Sequence, residues 1–336
     1  MIAKRKNLMR LVVLVSMSAA LYLFPTISEA GGSHEITLAM NSWIGYAPLF
    51  VASKMKYYGD YEVKYIHMDS GINAAVISGD VDIADLSMNQ VILDNVKGEK
   101  IKIFFPIDYS NGADAIVAKN EITKISSLRG LTIPLNTASY SELLLSYALS
   151  KDGMTLDEVK MVDTPASAVP AVLLGGHALA GVTWAPHVSV VTKHPGYHVL
   201  FSSREAPGLI TDNMCAQTDW IKKNPAAAMA LISGMIKGEK YIKQHPKRAF
   251  FIISKYMGIT PKQAEQQYAG VVNPNIKEMY YMMTKDKIPG FISYDQSVSL
   301  VDGLMKKTGK LSSRVKVSSA DMLFEEYVRR VYDESE

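Results

Sequence analysis

Cysteine is nearly missing: the 336 residues contain one, Cys215. A single thiol makes no internal disulfide and no cysteine metal cluster. Stability must therefore come from a large apolar core. The run Met214-Cys215-Ala216 points to burial of that thiol. Excess charge is missing too. The formal net charge of +3 lies within residues 1–30, where Lys4, Arg5, Lys6 and Arg10 stand against Glu29 alone. The rest of the chain is neutral and has no basic, aromatic-interleaved stripe, so nucleic acid is not an expected partner. Beyond Phe24 no apolar run is long enough to cross a membrane. No G-x-S-x-G elbow occurs. The stretch Gly303 to Lys310 has the wrong spacing for a phosphate loop, with Leu311 where Ser or Thr is required. His194 and His198 are separated by Pro195 and Gly196, which argues against one helix presenting both to a metal. No catalytic residue, no metal and no cofactor are expected.

What is present is ordinary for a globular protein: 48% hydrophobic and 21% charged residues, in a length suited to about two domains. Residues 1–30 read as a secretory signal. A cationic start precedes an apolar run from Leu11 to Phe24, then Pro25 and the small-residue end Ser28-Glu29-Ala30. At about 14 residues the run is short of the ~20 that span a bilayer, so cleavage after Ala30 is expected rather than an anchor. No Cys follows that site to carry a lipid. A free, soluble, monomeric protein in the periplasm is the expectation.

The stretch that organises the chain is Asn41-Ser42-Trp43-Ile44-Gly45-Tyr46-Ala47-Pro48-Leu49. An alternating strand runs into it and a helical pattern leaves it. Gly45 permits a tight corner, and Pro48 suits a helix's first turn. Strand-to-helix corners of α/β sheets are where ligands tend to be held. Trp43 and Tyr46 either pack in the core or grip a ligand there.

Strands and helices then alternate. Strand patterns cover 62–68, 81–87 and 101–108, and helical patterns follow Pro48, Ser70 and Gln90. This argues for a largely parallel sheet covered by helices. Tyr109-Ser110-Asn111-Gly112 interrupts the pattern, and a second α/β run follows from Asp114 to Phe201. A second interruption, Gly208 to Asn213, leads back to an apolar strand. Beyond Trp220 the patterns are helical, with Pro225, Pro246 and Pro261 at expected starts and a last helix over 319–332. The stretch 76–84, a helix end at Gly79 entering an apolar strand, is echoed at 172–181. Two similar lobes joined at the two interruptions would enclose a cleft.

Candidate ligand chemistry clusters at the corners and interruptions. Trp43, Tyr46 and Trp184 supply apolar walls with polar handles. Ser87 and the run Asn136 to Ser141, including Thr137 and Ser139, sit at helix starts, where free N–H groups and hydroxyls hold an anion. Ser139 with Glu142 also fits a plain capping box. Asp108, Asn111, Asp114 and Asp212 lie at the interruptions, where turn chemistry is the alternative. Asp108 ends a very apolar strand and suits a ligand ammonium. The combination suggests a small zwitterion.

Five stretches in order carry a family resemblance: Trp43 to Leu49, Ile77 to Ala84, Ser110 to Val117, Ile125 to Gly130 and Thr183 to His187. From about Glu35 to about Asn224 the chain resembles periplasmic substrate-binding proteins of ABC importers. The branch it is similar to includes nitrate-, taurine-, aliphatic sulfonate- and thiamine-precursor-binding proteins. The resemblance implies the two-lobed α/β periplasmic binding protein type II fold with a two-strand hinge and a helical C-terminal tail. The expected lobes are 33–108 plus 213–336, and 109–212. It also implies capture of a solute by cleft closure; the residue chemistry above makes that a small polar organic or zwitterionic, sulfonate- or taurine-like solute, with Trp43, Tyr46, Ser87, Asp108, Asn111, Thr137, Ser139, Trp184 and Asp212 as expected ligand contacts. Delivery would be to an inner-membrane permease with a separate ATPase subunit. Leu179 and Ala185 stand where the branch usually has charged residues, which separates this chain's ligand from those of its relatives. A sensing module docked to a membrane receptor is one alternative. An enzyme on the same fold is another, although thiamine-pyrimidine synthases depend on a cysteine-rich motif that this chain lacks.

Overall fold

A computed structural model describes residues 34–68, 70–137, 139–284, 292–307 and 309–335. The expected secretory signal lies outside the described residues. Among them, no helix is long and apolar enough to cross a membrane.

Eleven strands are described: β1 His34–Met40, β2 Tyr61–His67, β3 Ile83–Leu86, β4 Ile101–Ser110, β5 Asp114–Lys119, β6 Thr132–Leu135, β7 Lys160–Asp163, β8 Ala180–Trp184, β9 Tyr197–Ser202, β10 Thr211–Gln217 and β11 Val271–Val272. The helices that matter below are α1 Ala47–Met55, α2 Ile72–Ser78, α3 Met88–Val96, α4 Tyr140–Lys151, α5 Val169–Leu174 and α6 His187–Thr192. They continue with α7 Thr218–Lys223, α8 Pro225–Gln244, α9 Pro246–Met257, α10 Pro261–Tyr268, α11 Ile276–Met283 and α12 Tyr294–Lys307.

The fold is the mixed α/β architecture of periplasmic binding proteins. A six-stranded sheet runs in the order β11-β4-β10-β3-β1-β2. Its strands β1, β2 and β3 are parallel, as their alternation with helices requires. Their apolar residues fill the core: Ile36, Leu38, Ile83, Phe104 and Phe105 are buried. The chain leaves this sheet after Ser110 and forms a three-stranded sheet, β8-β5-β9, and a parallel pair, β6-β7. It returns at Thr211. Among the described residues eight further helices follow β10, α7 to α12 and two short ones near the C-terminal end, and all three Pro-marked starts hold, as α8, α9 and α10.

The structure departs from the sequence expectations in three places. The sheet is not largely parallel throughout, because β10 enters between β3 and β4 and pairs antiparallel with both. Strand β5 is likewise antiparallel to both β8 and β9. These are long-range pairings, which local alternation does not encode. The expected last helix is broken into Ser319–Met322 and Glu326–Asp333. Between them Leu323 bridges to Ile103, and the Phe324 N–H donates to the Ile103 carbonyl at 2.8 Å. That tertiary hydrogen bond replaces a helical one. Third, the short helix α7 and the two-residue strand β11 carry too few residues for a periodic signal.

The packing of α1 against α8 depends on one missing side chain. A Cβ on Gly238 would collide with the backbone carbonyl of Pro48, an atom that cannot rotate away. Gly238→Ala is expected to force the two helices apart and destabilise the protein by about 1–3 kcal/mol. Urea unfolding of the variant against wild type measures this; an unchanged midpoint would show that α1 and α8 separate freely.

Candidate functional site

The corner after β1 is held from beneath. Trp43 is buried, and its indole Nε1–H reaches both carboxylate oxygens of Asp108 on β4, at 3.1 and 3.3 Å. Tyr46 is fully buried and donates its hydroxyl to Asp85 Oδ2 at 2.7 Å and to Asn41 Oδ1 at 3.2 Å. Gly45 lies between Trp43 and Asp108, and any Cβ there would strike the carboxylate and the indole. Asn273, also buried, donates its amide to the carbonyls of Gly45 at 2.7 Å and Ile107 at 2.9 Å. It pins the corner to β4.

A cavity of about 650 Å³ opens above this corner. Its lining comes from both ends of the chain's long excursion away from the six-stranded sheet. Asn41, Ser42 and Trp43 contribute from the first corner, and Asp85, Ser87 and Gln90 from β3 and α3. Asp114, Ser139, Tyr140, Ser167, Trp184 and His187 come from the excursion, and Ile210 and Asp212 from the returning strand. Trp43 and Trp184, each following a strand, thus line one cavity.

Of the residues singled out in the sequence, Trp43, Ser87, Asp114, Ser139, Trp184 and Asp212 line the cavity. Tyr46 and Asp108 lie beneath it, both with no exposed surface, and support Asp85 and Trp43. Asn111 sits at the turn after β4, where its N–H donates to the Gly270 carbonyl at 2.8 Å. Thr137 is turned to Asp163, which accepts from its N–H at 3.0 Å and its hydroxyl at 2.8 Å. Ser87 donates its hydroxyl to Gln90 Oε1 at 2.8 Å. Ser139 is the N-cap of α4, accepting from the Ser141 N–H at 3.1 Å and donating to the Asn136 carbonyl at 2.7 Å. The carboxylate of Glu142 is gripped by Lys310 at 2.7 and 2.8 Å.

Sequence reasoning passed over Asp85, Gln90 and Ser167. Asp85 sits in an alternating strand, where its only signal was a carboxylate at a buried position of the pattern. Tyr140 and His187 were part of quoted runs but carried no assigned role. The hydroxyl of Tyr140 bonds to the Thr211 carbonyl, tying α4 to β10. His187 is half-buried, and that burial lowers its pKa, favouring a neutral imidazole.

Four carboxyls converge here. Asp212 lies directly opposite Asp108 on the β10–β4 pair, and Met214 next along β10 lies opposite Asp85 on β3. Burial pushes Asp85 up to about 7 against the pull of the Tyr46 hydroxyl and the Asn213 N–H. Burial raises Asp114 to about 6, opposed by its hydrogen bond to Ser110. Asp108 and Asp212 are raised further, first by burial and then by neighbouring carboxylates. Among the described residues no Lys or Arg lines the cavity. No group of three or more His, Cys, Asp or Glu among them is arranged to hold a metal.

The fold and this cavity together define a chain of the periplasmic-binding-protein architecture, with a ligand-sized site bordered by two strand-to-helix corners. The chain belongs to the NMT1/THI5-like family, whose model matches residues 43–249. It is 26% identical over 185 residues to the taurine-binding periplasmic protein of Escherichia coli K12, covering 53% of this chain and 57% of that one. The chain spans about three fifths of the length of the curated relatives it matches. In structure it is similar to the periplasmic aliphatic sulphonate-binding protein of Escherichia coli, with a TM-score of 0.70 at 14% identity. That match covers 88% of this chain and 99% of the other. The nitrate-binding protein of Synechocystis PCC 6803 matches with a TM-score of 0.69 at 12% identity, covering 90% and 89%.

Raised carboxyl pKa values have a definite sign in stability. The folded state holds protons that the unfolded chain releases, so the contribution is full below the ordinary carboxylate range, near about 4, and is lost as pH rises through about 7. Calorimetry on the ligand-free protein is expected to give a melting temperature that falls between about pH 5 and about pH 8. A melting temperature that climbs across this window would mean the carboxyls are ionised and stabilised by partners. Separately, Trp43→Phe removes the indole donor to the buried Asp108 carboxyl and is expected to lower stability by about 1–3 kcal/mol, measured by urea unfolding.

Proposed function

We propose that this protein is the extracytoplasmic solute-binding component of an ABC importer. It captures a small polar organic solute by closing two lobes, 33–108 plus 213–336 and 109–212, and delivers it to a permease driven by a separate ATPase. The protein does no chemistry on the solute, and the work of closure comes from the ligand's higher affinity for the closed arrangement. Strands β4 and β10 are the hinge in this reading. The support is the family membership, together with one cavity whose walls come from both sides of the two crossings.

The solute is a zwitterion of the taurine kind. Its ammonium faces Asp85, Asp114 and Asp212, and its anionic end faces the starts of α3 and α4. The observation that carries this is the lining itself: three carboxyls, two tryptophans and, among the described residues, no Lys or Arg. Relatives and structural neighbours are named for taurine, aliphatic sulphonate and nitrate. A plain anion would meet carboxyls here with, among the described residues, no Lys or Arg to offset them.

Mass spectrometry of small molecules that co-purify with the native protein identifies the solute. Saturation at 100 times Kd is expected to stabilise the protein by about 2.7 kcal/mol, visible as a raised melting temperature. Trp184 is partly exposed on the cavity wall, so Trp184→Ala should fold normally and lose that shift. A variant that responds like wild type would move the binding site elsewhere.

A further inference from the structure

The two crossing strands carry a charge problem that the solute reading does not by itself address. Asp108 and Asp212 lie directly opposite each other on β4 and β10. Two carboxylates have only acceptors and repel, so a buried pair with no cation between them calls for a proton. Asp108 has no exposed surface and accepts from Trp43, whereas Asp212 is partly exposed and lines the cavity. The shared proton therefore sits between the site's floor and its ligand-facing wall.

Among the described residues no Lys or Arg lines the cavity to replace it. Asp85 faces the pair from β3 and Asp114 from β5. The phenols of Tyr46, Tyr140, Tyr268 and Tyr294 face it from the first corner, α4, α10 and α12, and the Cys215 thiol lies further along β10. All of these groups are neutral or anionic. Burial holds the pair's proton well above the ordinary carboxylate range. The cavity above it has aromatic walls and room for a small organic molecule.

We propose that this site exchanges protons for an organic ammonium ion, the ligand's charged nitrogen taking the place of the proton shared by Asp108 and Asp212. The inference rests on the solute-binding reading and adds the charge class of the ligand and its coupling to pH. The balance is simple. A monoanionic carboxyl pair and a monocation become a dianionic pair holding the cation, and one proton leaves to solvent. An anionic end on the ligand is tolerated but is not what drives binding. The consequence is capture favoured by higher pH and release favoured by acidity.

Titration calorimetry of the purified protein tests this with three probes of similar size: ethanolamine, taurine and ethanesulfonate. Each is measured at about pH 6 and about pH 8 in buffers of different ionisation enthalpy. Ethanolamine and taurine are expected to bind with release of about one proton, and with affinity rising by up to about tenfold per pH unit. Ethanesulfonate should bind weakly or not at all. In Asp212→Asn the amide N–H can donate to the Asp108 carboxylate without a titrating proton, so the variant should fold, lose proton release and flatten the pH profile. Tightest binding of ethanesulfonate would overturn the exchange while leaving the solute-binding reading intact, as would ammonium binding with no proton released. Failure of both ammonium probes at about pH 8 overturns the ligand class, whatever co-purifies. If in addition no solute co-purifies, the solute-binding reading itself fails.

Discussion

Asp108 faces Asp212 across two adjacent antiparallel strands, and much of the molecule is arranged around that pairing. β10 reaches its place only by returning from a hundred-residue excursion and inserting between β3 and β4. The insertion buries two carboxyls at the point where the chain crosses. It also brings Asn213 next to Asp85 and Leu86, where its side chain donates to the Leu86 carbonyl and its N–H to the Asp85 carboxyl. Buried carboxyls are expensive unless protonated or hydrogen-bonded. Here both remedies occur. Trp43, Tyr46 and Asn213 donate, and burial pushes the carboxyl pKa values up, which favours protonation.

That constraint explains why the first corner is rigid. The Trp43–Gly45–Tyr46 turn has two functions, since its side chains both satisfy acids below and shape a cavity above. Asn273 ties the same turn to β4 from a distant part of the chain. A corner held at this many points does not rearrange on its own. Helix α4 is tied to the rest of the molecule at two further points, Glu142 to Lys310 and Tyr140 to Thr211 on β10.

Family membership and ligand chemistry are separate matters in this chain. The architecture is shared with proteins named for sulphonate and nitrate at identities of 14% and 12%. At that distance backbone topology is retained because core volume and pattern suffice to specify it. Side chains at the loop ends of the strands are free to change. The acid-lined cavity lies at these loop ends, so the fold alone carries no information about the charge of what it holds.

The sequence by itself determined the element pattern, including the helices beyond Trp220 other than α7 and the broken last one, the two interruptions, the burial of Cys215 and the two aromatic corners. All of these are local: hydrophobic period, turn residues and helix-ending glycines act within a few positions of one another. It also pointed to Asp108 and Asp212 through their place at the strand ends. Only the tertiary structure decided that these two are partners, that Asp85 joins them, that Thr137 is bonded to Asp163, and that Asn111 lies outside the cavity lining. The same holds for the break in the final helix, made by a bond to Ile103. Pairing between strands a hundred residues apart is set by where whole faces are buried. A carboxyl's charge is then set by the burial and neighbours that pairing creates, and neither is written in the residues beside it.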